Sequence, residues 1–238
     1  MKGFCYAAAL QFRLDIRSKA LLITCYLVPL VFFALMGGIF TALDPAAKTT
    51  LIPSMTVMGV SMGALIGLPP TLAEIYGTEV KKSYLAGGLP LSFGVITAPL
   101  SAFCHLMIFG GILYLTAPLA FEADLPKHPA LYFAALALLV TVTLSIGCVL
   151  GLAVKNQSKL TMLAQIVFLP SILLSGILVP VDLLPAPLSQ LGMLFPAYWG
   201  YRLMQDGGFG WENLWPLLVL LLAAIAVCAF LLRRIRRR

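Results

Sequence analysis

The chain has 238 residues, of which 61% are hydrophobic and only 11% are charged, and its formal net charge is +7. A soluble domain averages roughly 45–50% apolar and about 25% charged residues, so this composition excludes an ordinary soluble fold. We interpret the chain as an integral membrane protein of about six or seven helices, since each crossing takes about 20 residues.

The basic residues are concentrated in the segments that we predict to lie in the cytoplasm. Those segments hold thirteen Lys or Arg residues against three acidic ones, whereas the opposite side holds three against six. Short cytoplasmic loops of membrane proteins carry such an excess of Lys and Arg, so the asymmetry predicts the orientation. The same asymmetry explains the positive net charge, so we expect membrane lipid as a partner and no nucleic acid.

The first segment, residues 3–19, has apolar side chains near helical spacing and basic residues toward its end. This pattern is typical of an amphipathic helix that lies at the cytoplasmic interface. A cleaved signal peptide is the alternative, but the apolar run 20–42 that follows is too long for a signal core. We therefore interpret residues 20–42 as the first span.

Five further apolar runs complete a predicted all-α integral membrane protein, a single transmembrane domain with six helices and both termini in the cytoplasm. The predicted spans are residues 20–42, 51–72, 92–118, 130–153, 160–180 and 213–232. Small residues let helices approach closely inside a membrane, and five glycines in spans 2 and 4 are expected to mark such contacts. They are Gly59, Gly63, Gly67, Gly147 and Gly151.

Residues 181–210 are hydrophobic, but we do not interpret them as a seventh crossing. Pro185, Pro187 and Pro196 disfavour an uninterrupted helix there. A seventh crossing would also move the terminal arginines to the outer side, against the strongest charge signal in the chain. We predict a re-entrant or surface-lying helical pair on the extracellular side.

Motifs for catalysis, nucleotide binding and metal binding are missing from the sequence. It contains neither a GxxxxGK[ST] phosphate loop nor an HExxH zinc motif, and its five cysteines lack CxxC spacing. His105 is the one ionisable residue that we predict to lie deep in a span, as a proton relay or as a polar contact between helices. With so few buried charges, the energy for any transport has to come from outside this polypeptide.

The longest polar stretch between two spans is residues 74–90, EIYGTEVKKSYLAGGLP. It must lie in water, because its backbone groups cannot be satisfied in lipid. Its two lysines predict the cytoplasmic side. We predict that residues 73–90 form a cytoplasmic loop that binds a soluble partner, with a plain solvated connector as the alternative.

Two stretches of the chain resemble the membrane subunit of type-2 ATP-binding-cassette (ABC) exporters. Residues 73–100, AEIYGTEVKKSYLAGGLPLSFGVITAPL, resemble that family's segment between spans 2 and 3, with a glutamate-containing start, a Gly-Thr pair and an LxxxPLS-like end. Residues 174–205 resemble its connection between spans 5 and 6. The charged loop is less dense in Arg and Glu than is common in the family, and the long extracellular insert of larger members is missing.

The resemblance implies a permease that pairs with a second copy or a paralogue and with separate ABC ATPase subunits. ATP and Mg would be held by those subunits, so this chain would bind no cofactor and would not be an enzyme by itself. The resemblance places coupling to the ATPase at Glu74, Ile75, Tyr76, Gly77, Thr78, Glu79, Val80, Lys81 and Lys82. It places a substrate pathway along spans 1, 2 and 5 at Phe32, Phe33, Met36, Met55, Met58, Met62, Phe168, Ser171 and Leu174.

The expected function is export of a hydrophobic or amphipathic cargo by alternating access, across the plasma or inner membrane of a prokaryote. A drug, a peptide or a lipid-linked molecule suits the apolar residues named for the pathway. Two other classes stay open. One is a membrane scaffold or assembly subunit whose loop only docks a partner, and the other is an intramembrane enzyme, for which a catalytic set is missing.

Overall fold

The computed structural model describes residues 11–16, 19–77 and 92–236, and the regular secondary structure in these residues is helical. The helices are α1 (residues 11–16), α2 (Ile23–Leu43), α3 (Ala47–Gly77), α4 (Ser92–Phe121), α5 (Pro129–Ala153), α6 (Gln157–Leu173), α7 (Ala186–Gly192), α8 (Pro196–Met204) and α9 (Trp211–Arg236). A helical turn at Lys19–Leu22 leads into α2, and a 3-10 turn at Val181–Leu183 precedes α7.

Five of these helices, α2, α3, α4, α5 and α9, are long and apolar enough to cross a membrane. They coincide with five of the predicted spans, which confirms the expectation of an all-helical, multi-pass membrane protein. Helix α6 overlaps the remaining predicted span, but it has only 17 residues. At 1.5 Å per residue it is about 25 Å long, less than the roughly 30 Å hydrocarbon core of a bilayer. The sixth crossing therefore stays a prediction.

Helix α6 ends before residue 180, where the sequence pattern placed the end of the fifth span. Its last backbone bond runs from the Leu174 N–H to the Pro170 carbonyl at 3.0 Å. The Ser175 hydroxyl then donates to the Ile172 carbonyl at 2.8 Å, and Gly176 adopts a φ of +87°. A glycine in this left-handed conformation commonly ends a helix, so the chain turns away here.

Helix α3 continues through Pro69 and Pro70 to Gly77, past the predicted end of the second span at residue 72. A π-helical turn at Gly63–Gly67 comes just before the prolines, and in it the Leu68 N–H bonds to the Gly63 carbonyl. Such local π adjustments satisfy backbone groups that proline would otherwise disturb. Residues 73–77, predicted to begin a loop, are therefore the last part of a helix.

Helix α3 is the centre of the bundle, packed by α2, α4, α5, α6 and α8. Within its most apolar 18-residue stretch 83% of the residues are buried, against 22% in α2 and in α9. Helices α7 and α8 supply the helical pair predicted at 181–210, and α8 packs on α5 and α9. Their position relative to a membrane stays a prediction.

The five glycines singled out in the sequence lie at close helix contacts of this central helix. A Cβ added at Gly59 would meet the Phe109 ring of α4, and one at Gly147 would meet the Ala64 carbonyl oxygen of α3. At Gly151 it would lie 2.8 Å from the carbonyl oxygen of Pro69. Gly63 and Gly67 face a second π-helical turn, Ile23–Leu27 of α2. The missing side chains at Gly147 and Gly151 let α5 approach α3 almost to backbone contact, and the glycines of α3 leave room for side chains of α2 and α4.

Candidate functional site

The end of α3 is the described part of the expected ATPase contact. Glu74 and Gly77 are exposed there, whereas Ile75 and Tyr76 are buried. A Cβ at Gly77 would lie 4.0 Å from the Lys155 carbonyl, so the end of α3 lies beside the turn between α5 and α6. Both regions carry basic or polar residues that the sequence analysis assigned to one face of the membrane.

Ile75 and Tyr76 pack inside this chain. The backbone N–H of Val95 in α4 donates to the Tyr76 hydroxyl oxygen at 3.1 Å. The end of α3 is thereby tied to the first turns of α4. Ile75 and Tyr76, both expected to couple to the ATPase, are thus packed within this chain.

Five expected coupling residues lie outside the described residues. They are Thr78, Glu79, Val80, Lys81 and Lys82. Their flanks are described on both sides, at Gly77 and at Ser92. The structure therefore fixes where the connecting segment leaves α3 and where it enters α4.

The expected substrate pathway lies mostly inside the packed bundle of a single chain. Phe33, Met55, Met58, Phe168, Ser171 and Leu174 are buried. Met36 and Met62 are half-buried, and Phe32 is 37% exposed. The Phe33 ring packs edge-on against the Phe121 ring at the end of α4, with ring centroids 5.2 Å apart. These residues lie on α2 and α3 and at or just after the end of α6, and most of them are packed inside the described part of the chain.

Ser171 is the one hydrophilic member of that set, and its environment is unusual. It is fully buried, and its hydroxyl has no hydrogen-bond partner among the described residues. Most buried polar atoms in native proteins do have a partner. An unpartnered hydroxyl on α6 thus marks a position where another conformation or a bound molecule could supply one.

A cavity of about 530 Å³ opens at the end of the bundle opposite Gly77. We call it the distal cavity; the ends of α2 and α8, the beginning of α3 and the segment after α6 form it, and Asp44, Thr49, Asp182, Arg202 and Gln205 supply polar groups. The Arg202 guanidinium lies 4.8 Å from the centroid of the Tyr198 ring, a cation–π contact. None of the nine expected pathway residues lines this cavity.

The sequence pattern does not reveal the distal cavity. Asp44, Asp182 and Arg202 entered the prediction only through the charge balance of the predicted outer side. The available signal was that all three border helix ends far apart in the sequence, and only the fold shows that these ends meet.

His105 makes a polar contact between helices. Its Nδ1 lies 2.8 Å from the hydroxyl of Tyr26 in α2, and this hydroxyl also donates to the His105 carbonyl at 3.1 Å. The Phe12 ring of α1 stacks on the imidazole, with centroids 4.4 Å apart. The Nε2 atom is buried and has no hydrogen-bond partner among the described residues.

Asp15 is buried next to this cluster, which the sequence pattern did not anticipate. The pattern of residues 3–19 predicted an amphipathic interface helix with Phe12 and Ile16 at helical spacing, and Asp15 was counted among the cytoplasmic charges. In the structure the Ser101 hydroxyl of α4 donates to the Asp15 carboxylate, which is only 6% exposed, while Ile16 is 46% exposed. Helix α1 is therefore held to α4 by this polar contact and by the stacking of Phe12 on His105.

The described residues contain no cluster of His, Cys, Asp or Glu with the geometry of a metal site. Cys25, Cys104, Cys148 and Cys228 are unpaired thiols in that same part of the chain. The polar groups noted above are spread over the two ends of the bundle and the α1–α4 contact.

One comparison with known proteins matches a family model, and the match covers most of the chain. The family model described as "ABC-2 type transporter" matches residues 3–209. No curated protein and no solved structure matches significantly. The matched range includes α1 to α8 and both stretches that carried the resemblance in the sequence.

Proposed function

This chain belongs to the ABC-2 type transporter family, so it is the membrane component of an ABC transporter, and we propose that it exports a hydrophobic or amphipathic cargo. Separate ATPase subunits would hold ATP and Mg and drive the cycle. The match over residues 3–209 is the observation that carries this proposal. The sequence has no GxxxxGK[ST] phosphate loop, which agrees with ATP hydrolysis on a separate subunit. We place the transporter in the plasma or inner membrane of a prokaryote.

In this proposal the ATPase acts on the membrane helices through the segment between α3 and α4, which we call the coupling segment. Glu74 is exposed at the end of α3, and the contact between Tyr76 and the Val95 N–H joins α3 to α4 just above the segment. A push on residues 78–91 would therefore move both helices together. Since α3 is the central helix, its displacement would shift every helix packed on it.

The paired π-helical turns are the place where this motion would bend the bundle. Ile23–Leu27 of α2 and Gly63–Gly67 of α3 lie side by side, with a Cβ at Gly63 only 3.2 Å from the Cys25 sulfur. Short π segments inside helices frequently mark functional sites, and they interrupt the regular hydrogen-bond pattern. Bending there would separate the α2–α3 contact and give access between inward- and outward-facing states.

A second copy of the chain, or a paralogue, would complete the pathway. Family resemblance named spans 1, 2 and 5 for the seam, but α3 is largely enclosed by its own chain. Helices α2 and α6 remain, and each exposes a row of large apolar residues: Ile23, Leu27, Val31, Leu35 and Ile39 on α2, and Met162, Ile166, Leu169 and Leu173 on α6. Pairing these rows with those of the second copy would enclose an apolar passage. Ser171, whose hydroxyl has no hydrogen-bond partner among the described residues, lies on α6, one of the two helices that form this interface.

The test is to uncouple ATP hydrolysis from transport without destabilising the helix bundle. Tyr76→Phe removes the hydroxyl that the Val95 N–H contacts and keeps the ring. In a complex reconstituted with its ATPase, we expect ATP hydrolysis to continue while transport falls several-fold. Tyr114→Phe is the matched control, because its hydroxyl has no hydrogen bond among the described residues, and it should transport normally.

Wild-type transport by the Tyr76→Phe variant would contradict the claim that the segment between α3 and α4 couples ATP hydrolysis to transport. Failure of every ABC ATPase of the host to stimulate transport would contradict the proposed function itself. Val80→Asp gives a second arm at a residue of the connecting segment, where we expect the same uncoupling with normal insertion into the membrane.

A further inference from the structure

An apolar groove of about 590 Å³ runs between α4, α5 and α9. Its walls include Ile96 and Phe103 of α4, Leu144 of α5, and Ile225 and Leu232 of α9. No charged side chain lines it among the described residues. The groove belongs neither to the proposed seam nor to the distal cavity.

The two hydroxyl side chains that α5 contributes to the groove are already hydrogen-bonded within that helix. The Thr141 hydroxyl donates to the Ala137 carbonyl at 2.7 Å, and the Ser145 hydroxyl donates to the Thr141 carbonyl at 2.8 Å. The Cys228 thiol of α9 donates across to the Ser145 carbonyl at 3.7 Å. These three groups have no free hydrogen that a polar ligand could use, so this part of the groove suits a hydrocarbon chain.

The arginine-rich end of α9 lies just beyond the groove. Ile225, Ala229 and Leu232 line it, and Arg236 continues their face of the helix at i, i+4, i+7 and i+11. Arg236 is exposed about 6 Å along the axis from Leu232. Arg234 is also exposed, but it points about 200° round the helix from Leu232.

We propose that this groove is a binding site for an anionic phospholipid. One acyl chain lies between α4, α5 and α9, and the phosphate is held by Arg236 at the rim. The charge complementarity decides the occupant, because an apolar slot that ends at an exposed guanidinium matches a molecule with a long hydrocarbon tail and a negative head. Basic residues at the membrane surface between helices commonly bind such head groups.

The inference does not depend on the ATPase partner or on the cargo. It assigns a role to Arg236 that differs from a general positive charge at the cytoplasmic face. A general effect would treat Arg234 and Arg236 alike, since both add one charge at the same depth. A site treats them differently.

The experiment measures lipid binding to the purified full chain by native mass spectrometry. The probes are phosphatidylglycerol and phosphatidylcholine with the same acyl chains, added in equal amounts. We expect the wild type to retain phosphatidylglycerol preferentially. Arg236→Gln should reduce that preference about fivefold, the effect of one charge at a membrane surface, whereas Arg234→Gln should leave it unchanged.

A second variant tests the slot itself. Ala229 is exposed and lines the groove, so Ala229→Phe fills it without entering the packed core. Loss of both bound lipids in this variant supports the site. Ile96→Trp fills the same groove from α4 and replaces Ala229→Phe should that variant prove unstable.

Four outcomes would overturn the proposal. Equal retention of the two lipids by the wild type removes the charge selectivity, and equal losses in Arg234→Gln and Arg236→Gln reduce it to bulk charge. A change of oligomeric state in Ala229→Phe, with lipid binding unchanged, assigns the groove to a second protein chain. Displacement of the lipid by a transported compound at equal concentration would assign it to the cargo.

Discussion

Helices α3 and α9 are the two extremes of this molecule. The most apolar 18-residue stretch of α9 has a mean hydropathy of 2.8, yet only 22% of its residues are buried. The corresponding stretch of α3 has a mean hydropathy of 1.7, and 83% of its residues are buried. In a soluble protein the more apolar residues would be the ones inside.

The inversion follows from the solvent. Lipid accommodates leucine as well as a protein interior does, so hydrophobicity alone does not draw α9 into the bundle. Inside, small and hydrogen-bonding residues allow close packing, and α3 carries Gly59, Gly63, Gly67, Ser54 and Thr56. Sensitivity to substitution should therefore follow burial and closeness of packing, and it should not follow hydrophobicity.

The largest effect is expected from Gly147→Ala. The added Cβ would collide with the Ala64 carbonyl of α3, and a backbone atom cannot move aside cheaply. Overpacking of this kind costs about 1–3 kcal/mol, which should appear as a lower unfolding temperature in detergent. Gly111→Ala is the control, because a Cβ there meets nothing within 4 Å. Equal stability of the two variants would contradict the close packing of α3 against α5.

The next effect compares the same change on the two helices. Leu72 in α3 is fully buried, whereas Leu222 in α9 is 67% exposed. Leu72→Ala leaves a cavity and should cost about 2 kcal/mol, while Leu222→Ala should stay within about 0.5 kcal/mol. Unfolding in mixed micelles measures both. A larger loss for Leu222→Ala would show that α9 is covered by a partner and not by lipid.

A smaller effect is expected at the hydrogen bond between Thr56 of α3 and Tyr132 of α5. The two hydroxyls are 2.8 Å apart and buried. Hydrogen bonds between helices in a membrane average about 0.6 kcal/mol, so Tyr132→Phe should destabilise only slightly. A cycle with Thr56→Val isolates the pair. A coupling energy of zero would mean that each hydroxyl finds another partner.

How far the sequence predicts this fold can be seen along α3. The apolar run located the helix, and the glycine spacing located its contacts, because both depend on local composition. Its continuation past Pro69 and Pro70 was not predictable, since the π turn that permits it packs against α2. The burial of Tyr76 follows from that continuation, because a residue of a loop would have faced water.

The same limit applies to Asp15 and to the distal cavity. A helical pattern assigns Asp15 to the polar face, and only the neighbouring Ser101 explains its burial. Asp44, Asp182 and Arg202 come from three separate parts of the chain, so their meeting at one cavity is a property of the tertiary structure. Single-sequence patterns contain the elements but not these contacts.

The smallest effect belongs to the exposed ion pair at the other end of the molecule. Lys48 Nζ lies 2.7 Å from Glu122 Oε2, and the hydrogen bond from Lys48 holds the pKa of Glu122 below its usual range. A carboxyl group whose pKa falls on folding stabilises the folded state above its unfolded pKa, and loses that contribution as the pH drops through the lowered value. Glu122→Gln should thus lower the unfolding temperature slightly at neutral pH and not in acid.

Salt provides the control for that pair. Both side chains reach solvent, so high ionic strength should remove most of the difference between Glu122→Gln and the wild type. A difference that persists in acid or in high salt would contradict the assignment of the effect to the charge of Glu122.

The most direct test of the central claim is a photocrosslinking residue at position 74, the exposed site at the end of α3. The account predicts a covalent product with an ABC ATPase subunit, identified by mass spectrometry, and none from the same residue at position 222 on the lipid-facing side of α9. A position 74 that crosslinks to no ATPase, or a position 222 that crosslinks to one equally well, would contradict the claim that the ATPase works this bundle through the segment between α3 and α4.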